Sequence, residues 1–247
     1  MTLSRATARS KGVKSSKRSG RSVLKEIPGR ILTLALGALS QANMHAVFAD
    51  PGNEHWDFIC VTNAAHAGEL FLKAIIAKEH PLLIFKDIFN LDDNSAVSID
   101  LVTLIKRGKT HDFEKLPQVL RVATGQRMPN PECFERLRRA RNSIQHFCAP
   151  EDEDFRALAL EFIYTIIDPL IREHFGIFAI EHHEDHNVGY DYVVAALLRH
   201  RLKFSIPDDF EVGEIRIKEE IDGADKTYRD WLAGELERIG RSDLLKK

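Results

Sequence analysis

The sequence predicts an all-α fold, a helical bundle with a smaller, mainly helical C-terminal extension. Three observations predict it. Apolar residues recur at three- and four-residue spacing through most of the chain after Arg30. Proline, glycine and capping residues break these stretches at helix-sized intervals. And 247 residues, 44% of them hydrophobic, supply enough apolar surface for one sizeable core.

The first 29 residues stand apart. Residues 1–30 hold nine Lys and Arg against Glu26 alone, leaving 26 basic and 36 acidic residues in the remainder. A basic leader on an acidic body suggests a flexible, solvated arm able to bind a polyanion. From Arg30 the spacing of Leu32, Leu36 and Leu39 predicts a helix ending near the Asp50-Pro51-Gly52 turn. A second runs from Glu54 to about Lys78, turning Phe58, Val61, Ala65, Leu72, Ile75 and Ile76 toward the core and stopping before Pro81, so the two form a hairpin. Residues 82–124 read as short helices interrupted by Leu91-Asp92-Asp93-Asn94 and Pro117, with one over Ser98–Lys106.

Asn130-Pro131-Glu132 opens the next helix. Asparagine caps, proline suits the first helical position, and an acid complements the amino-terminal dipole; the helix should reach Cys148. Pro150 and the acids after it open another, in which Phe155, Leu158, Phe162, Ile163, Ile166 and Ile167 share a face and which Pro169 should end or kink. Beyond Gly176 and the polar stretch Glu181–Asn187 come a helix over Tyr190–Lys203, a segment over Phe210–Ile221 with room for short strands, and a helix over Lys226–Ile239. The chain thus divides into a basic tail (1–29), a bundle (30–175) and an extension (176–247).

Composition narrows the function classes. The three cysteines, Cys60, Cys133 and Cys148, have no C-x-x-C spacing and an odd total, arguing against a disulfide framework or zinc knuckle and for a reducing, cytoplasmic setting. Cys148 reads as a small buried apolar residue. No uninterrupted apolar run approaches the ~20 residues of a membrane span, and the long charged leader fits a secretory signal poorly. His182 and His186, within Glu181-His182-His183-Glu184-Asp185-His186, are the best metal candidates but have no further anchored ligands; a solvated edge is preferred, so neither metal nor cofactor is expected. No phosphate-binding glycine loop is present.

The chemistry concentrates in residues 134–147. On a helix, Phe134, Leu137, Ala140, Ile144 and Cys148 lie on one face and Glu135, Arg139, Asn142 and His146 on the opposite one, with Arg141 at the margin. Asn142 and His146 are one turn apart, so the amide could orient the imidazole. This stretch resembles the HEPN superfamily, whose ribonuclease members carry R-x4-6-H on a late helix, commonly with a polar residue after the arginine. Arg141, Asn142 and His146 match it at four-residue spacing. Residues 63–74 resemble the family's early helix, with Glu69 and Lys73 as its Glu-x-x-x-Lys pair, here read as a salt pair across one turn. The resemblance covers roughly residues 30–175.

The resemblance implies metal-independent endoribonuclease chemistry on RNA, with 2′-hydroxyl attack leaving a cyclic phosphate, and a role as a toxin or antiviral effector. His146 would move the proton, Arg141 would meet charge on the phosphoryl oxygens, Asn142 would orient His146 or the phosphate, and Arg138 and Arg139 would hold the RNA backbone. Five residues on a helix place Arg141 and His146 about 140° apart, so a homodimer sharing one cleft is expected. The alternative is a non-catalytic HEPN-like module binding nucleotide, RNA or a partner protein, and a cognate antitoxin or defence-complex protein is a further expected class of partner.

Overall fold

The computed structural model describes residues 20–48, 55–86, 101–148, 153–183 and 189–246. The basic residues before position 20, the Asp50-Pro51-Gly52 and Leu91–Asn94 turns, the entrances at Ser98 and Pro150, and His186 lie outside them. The described residues are helical and contain no strand; one isolated antiparallel bridge joins Phe85 to Thr110.

Two long helices, α1 (Gly20–Val47) and α2 (His55–Glu79), pack along each other as the predicted hairpin. The first begins ten residues before Arg30, so residues 20–29 belong to the helix. Ile27 is buried there, and Pro28 is accommodated without ending the helix. By length and composition α2 could cross a membrane. In this fold its apolar side chains form the centre, with Val61, Ala64, Phe71, Leu72, Ile75 and Ile76 almost wholly buried. Around it lie α3 (Leu101–Arg107), α4 (Leu116–Thr124), α5 (Pro131–His146) and α6 (Phe155–Phe162), of which α4, α5 and α6 pack directly on α2. Gly68 permits the closest approach, since a Cβ there would stand 2.5 Å from the Phe162 ring.

Pro169 neither ends nor breaks its helix. A single π-turn, Ile163–Ile167, follows α6, and α7 (Asp168–Phe175) continues from it to Gly176, which closes it at φ 67°. A proline lacks the N–H for the carbonyl four residues back and crowds it; the wider turn relieves that conflict, with Asp168 N–H bonding Ile163.

The C-terminal region contains α8 (Asp191–Arg199), α9 (Ile217–Glu220) and α10 (Lys226–Arg238). The strands considered for Phe210–Ile221 do not form. Instead the Asp191 carboxylate, 6% exposed, accepts backbone N–H bonds from Gly213, Glu214 and Ile215 at 2.9, 2.7 and 3.3 Å, holding that segment as a loop. One hydrophobic core runs from Ile27 through Leu244, so the C-terminal region and the bundle share it. Buried polar groups fix the junction. Asn43 Nδ2 donates to the carbonyls of Ala179 and His182, the Tyr164 hydroxyl donates to Asn43 Oδ1, and Asp168 accepts the N–H groups of Ala179 and Ser205.

Candidate functional site on helix α5

The amino-terminal end of α5 is firmly anchored. Asn130 Oδ1 accepts from Cys133 N at 3.2 Å, the predicted cap, while its Nδ2 donates to Thr165 Oγ1 at 3.1 Å in the π-turn. Cys133, Phe134, Leu137 and Ala140 are buried against the bundle, and the Phe134 ring meets Phe113 tilted at 47°, 4.7 Å between ring centroids. Arg136 bridges Glu153 and Glu161 at 2.8 and 2.9 Å, tying the helix to α6 and the residues before it.

The carboxyl-terminal half is open. Arg141 and Asn142 are half-buried, and His146, in the last turn, is exposed. Arg141 Nη1 donates to Asn142 Oδ1 at 3.2 Å, so the amide positions the guanidinium. Of the two roles expected for Asn142, orienting His146 or the phosphate, the first has no hydrogen bond to the imidazole among the described residues. The helix stops at Phe147, whose N–H reaches the Ser143 carbonyl and whose ring is 91% exposed. Cys148 is exposed rather than buried, because the chain leaves helical geometry at Phe147 and no longer returns to the apolar face.

The other arginines divide by partner. Arg138 is held by Glu135 at 2.9 Å and lies 3.7 Å from Glu114; the Glu135 hydrogen bond pushes its pKa above the usual arginine range. Its charge is therefore largely compensated. Arg139 is exposed with no ion pair among the described residues. One exposed and one positioned guanidinium, Arg139 and Arg141, thus share this helix with an exposed imidazole.

Glu69 and Lys73 form the predicted pair, at 2.5 Å, with Lys73 only 8% exposed and also donating to Thr110 Oγ1 at 3.0 Å. Of the metal candidates, His186 lies outside the described residues and the His182 carbonyl is bonded to Asn43; His183 between them is buried. Among the described residues no group of three His, Cys, Asp or Glu could hold a metal ion. Sequence reasoning missed the buried polar set Asn43, Tyr164, Asp168 and Asp191. Its signal is readable in hindsight for two of them: Asn43 falls on the Leu39–Ala42–Ala46 face, and Asp168 interrupts an isoleucine-rich run.

Comparison of the chain with protein-family models, curated proteins and solved structures finds no match.

Proposed function

We propose that the chain is a HEPN-type endoribonuclease acting as a homodimer, with Arg141 and His146 as its catalytic groups and Asn142 positioning the guanidinium. The observation that carries this reading is the open end of α5, where half-buried Arg141 held by Asn142 and exposed His146 share one rigidly anchored helix. His146 takes the 2′-hydroxyl proton as that oxygen attacks the adjacent phosphorus. The bond from phosphorus to the 5′-oxygen breaks, a proton returns to the leaving oxygen, and a 2′,3′-cyclic phosphate and a 5′-hydroxyl end result. Arg141 stabilises the charge accumulating on the non-bridging oxygens.

A rise of about 1.5 Å per residue separates the two Cα positions by about 7.5 Å along the axis as well as by rotation. In this proposal a second α5 supplies the complementary group, and Arg139 from each copy adds an uncompensated charge for the RNA backbone. Such an enzyme would serve as a toxin or antiviral effector, restrained or recruited by a cognate antitoxin or defence-complex protein.

The test is cleavage of single-stranded RNA by purified protein in EDTA. Arg141→Ala and His146→Ala should each lower the rate at least 100-fold with unchanged helical circular dichroism. Undiminished cleavage by both variants rejects the site. The absence of a hydrogen bond orienting His146 among the described residues favours one second reading, a module that binds nucleotide, RNA or a partner protein without turnover; RNA binding with no cleavage, weakened by Arg141→Ala, would establish it.

A further inference from the structure

A second site lies away from the open end of α5, in the cleft between α1, α2 and the bridge that joins Phe85 to Thr110. Its walls are apolar, formed by Ile27, Ile31, Leu70, Ile84, Phe85 and Ile105, and its volume is about 290 Å³. The polar groups that line it are Lys73, Thr110 and Arg30. The bridge is held by two backbone hydrogen bonds, Lys86 N to the Lys109 carbonyl and His111 N to the Ile84 carbonyl, both at 2.9 Å. Gly108 lets the Phe85 ring lie against the backbone, since a Cβ there would stand 2.7 Å from it.

The hydrogen-bonding inventory gives the ligand's polarity. Lys73 carries three protons, of which one goes to Glu69 and one to Thr110, leaving a third. Thr110 Oγ1 accepts from Lys73 and retains its own hydrogen to donate. Arg30, at the rim, commits one terminal nitrogen to Glu26 and keeps further N–H groups. The groups lining the cleft therefore offer spare donors among apolar walls, on side chains whose charges Glu69 and Glu26 already pair, so a ligand's acceptor-only head group is held by hydrogen bonds rather than by uncompensated charge. The geometry points to a binding site for a medium-chain carboxylate, its hydrocarbon along Ile27, Ile31, Leu70 and Ile105 and its carboxylate toward Lys73 and Thr110. The cleft's volume corresponds to about ten waters at ~30 Å³ each in the liquid, room for a small aliphatic carboxylate such as octanoate. This site is independent of the nuclease proposal and needs neither Arg141 nor His146.

Calorimetric titration of the full chain with octanoate, octylammonium and acetate tests it. Octanoate should bind saturably at one per chain, with no saturable binding of octylammonium and at least tenfold weaker binding of acetate. Thr110→Val removes a donor, and Ile105→Glu sets a like charge at a partly exposed wall position; each should weaken octanoate at least tenfold. The second variant tests the site even if the first perturbs the Lys73 pairing. Failure of octanoate to bind, equal binding of octylammonium, or unchanged affinity in both folded variants overturns the assignment, whatever the outcome of the RNA assay.

Discussion

Asp168→Ala is the sharpest test of how the C-terminal region is held. The carboxylate is 1% exposed and accepts two backbone N–H bonds, from Ala179 at 3.0 Å and from Ser205 at 2.7 Å. Alanine leaves both donors buried without partners. At ~1–3 kcal/mol for each unsatisfied group, the loss is about 2–6 kcal/mol, a large part of the ~5–15 kcal/mol that stabilises a typical domain. With a urea m-value of ~3 kcal/mol/M, the unfolding midpoint should fall by about 0.7–2 M at unchanged m. Hydrogen exchange should rise first at Ala179 and Ser205, the donors that lose their acceptor.

The same residue gives a pH dependence with a definite sign. Burial raises its folded-state pKa above the ordinary aspartate value, with the N–H bonds from Ala179 and Ser205 opposing the shift. Its contribution is therefore fully present below the unfolded carboxyl's pKa and declines as pH rises through the raised folded one. Wild-type stability should show that decline above the ordinary aspartate range, and Asp168→Ala should lose this component. A midpoint drop below about 0.2 M urea, or a component of opposite sign, would refute the assignment of Asp168 as the acceptor that docks these segments.

Gly68→Ala should destabilise by about 1–3 kcal/mol in thermal or urea unfolding, because the added methyl meets the Phe162 ring, and Phe162→Leu in the same chain should recover part of the loss. Of the three thiols, exposed Cys148 should react with a disulfide reagent in the native protein, whereas Cys60 and Cys133, buried and pushed up to about 12 by desolvation, should react only on unfolding; one fast and two denaturant-dependent equivalents check this.

Local chemistry was the legible part of this sequence. Asn130-Pro131-Glu132 carries its own instructions, and α5 begins where those three residues place it. The α1–α2 hairpin was legible for the same reason, since its apolar repeats exceed what any loop sustains. Pro169 was not, because whether a proline ends a helix depends on whether the preceding turn can widen, and that is settled by packing of Ile163, Ile166 and Ile167 in the core. Nor was the loop at 213–215, whose order comes from Asp191, 22 to 24 residues earlier. The candidate site divides along the same line. Helical periodicity gives the face that bears Asn142 and His146, and the spacing of Glu135 and Arg138 gives their pair. Periodicity is silent on Glu114, Glu153 and Glu161, which approach α5 from other elements and compensate Arg136 and Arg138. Four arginines in six residues look like one basic stripe; ion pairs, one of them within the helix, occupy Arg136 and Arg138 and leave Arg139 and Arg141 as the guanidiniums with no carboxylate partner among the described residues.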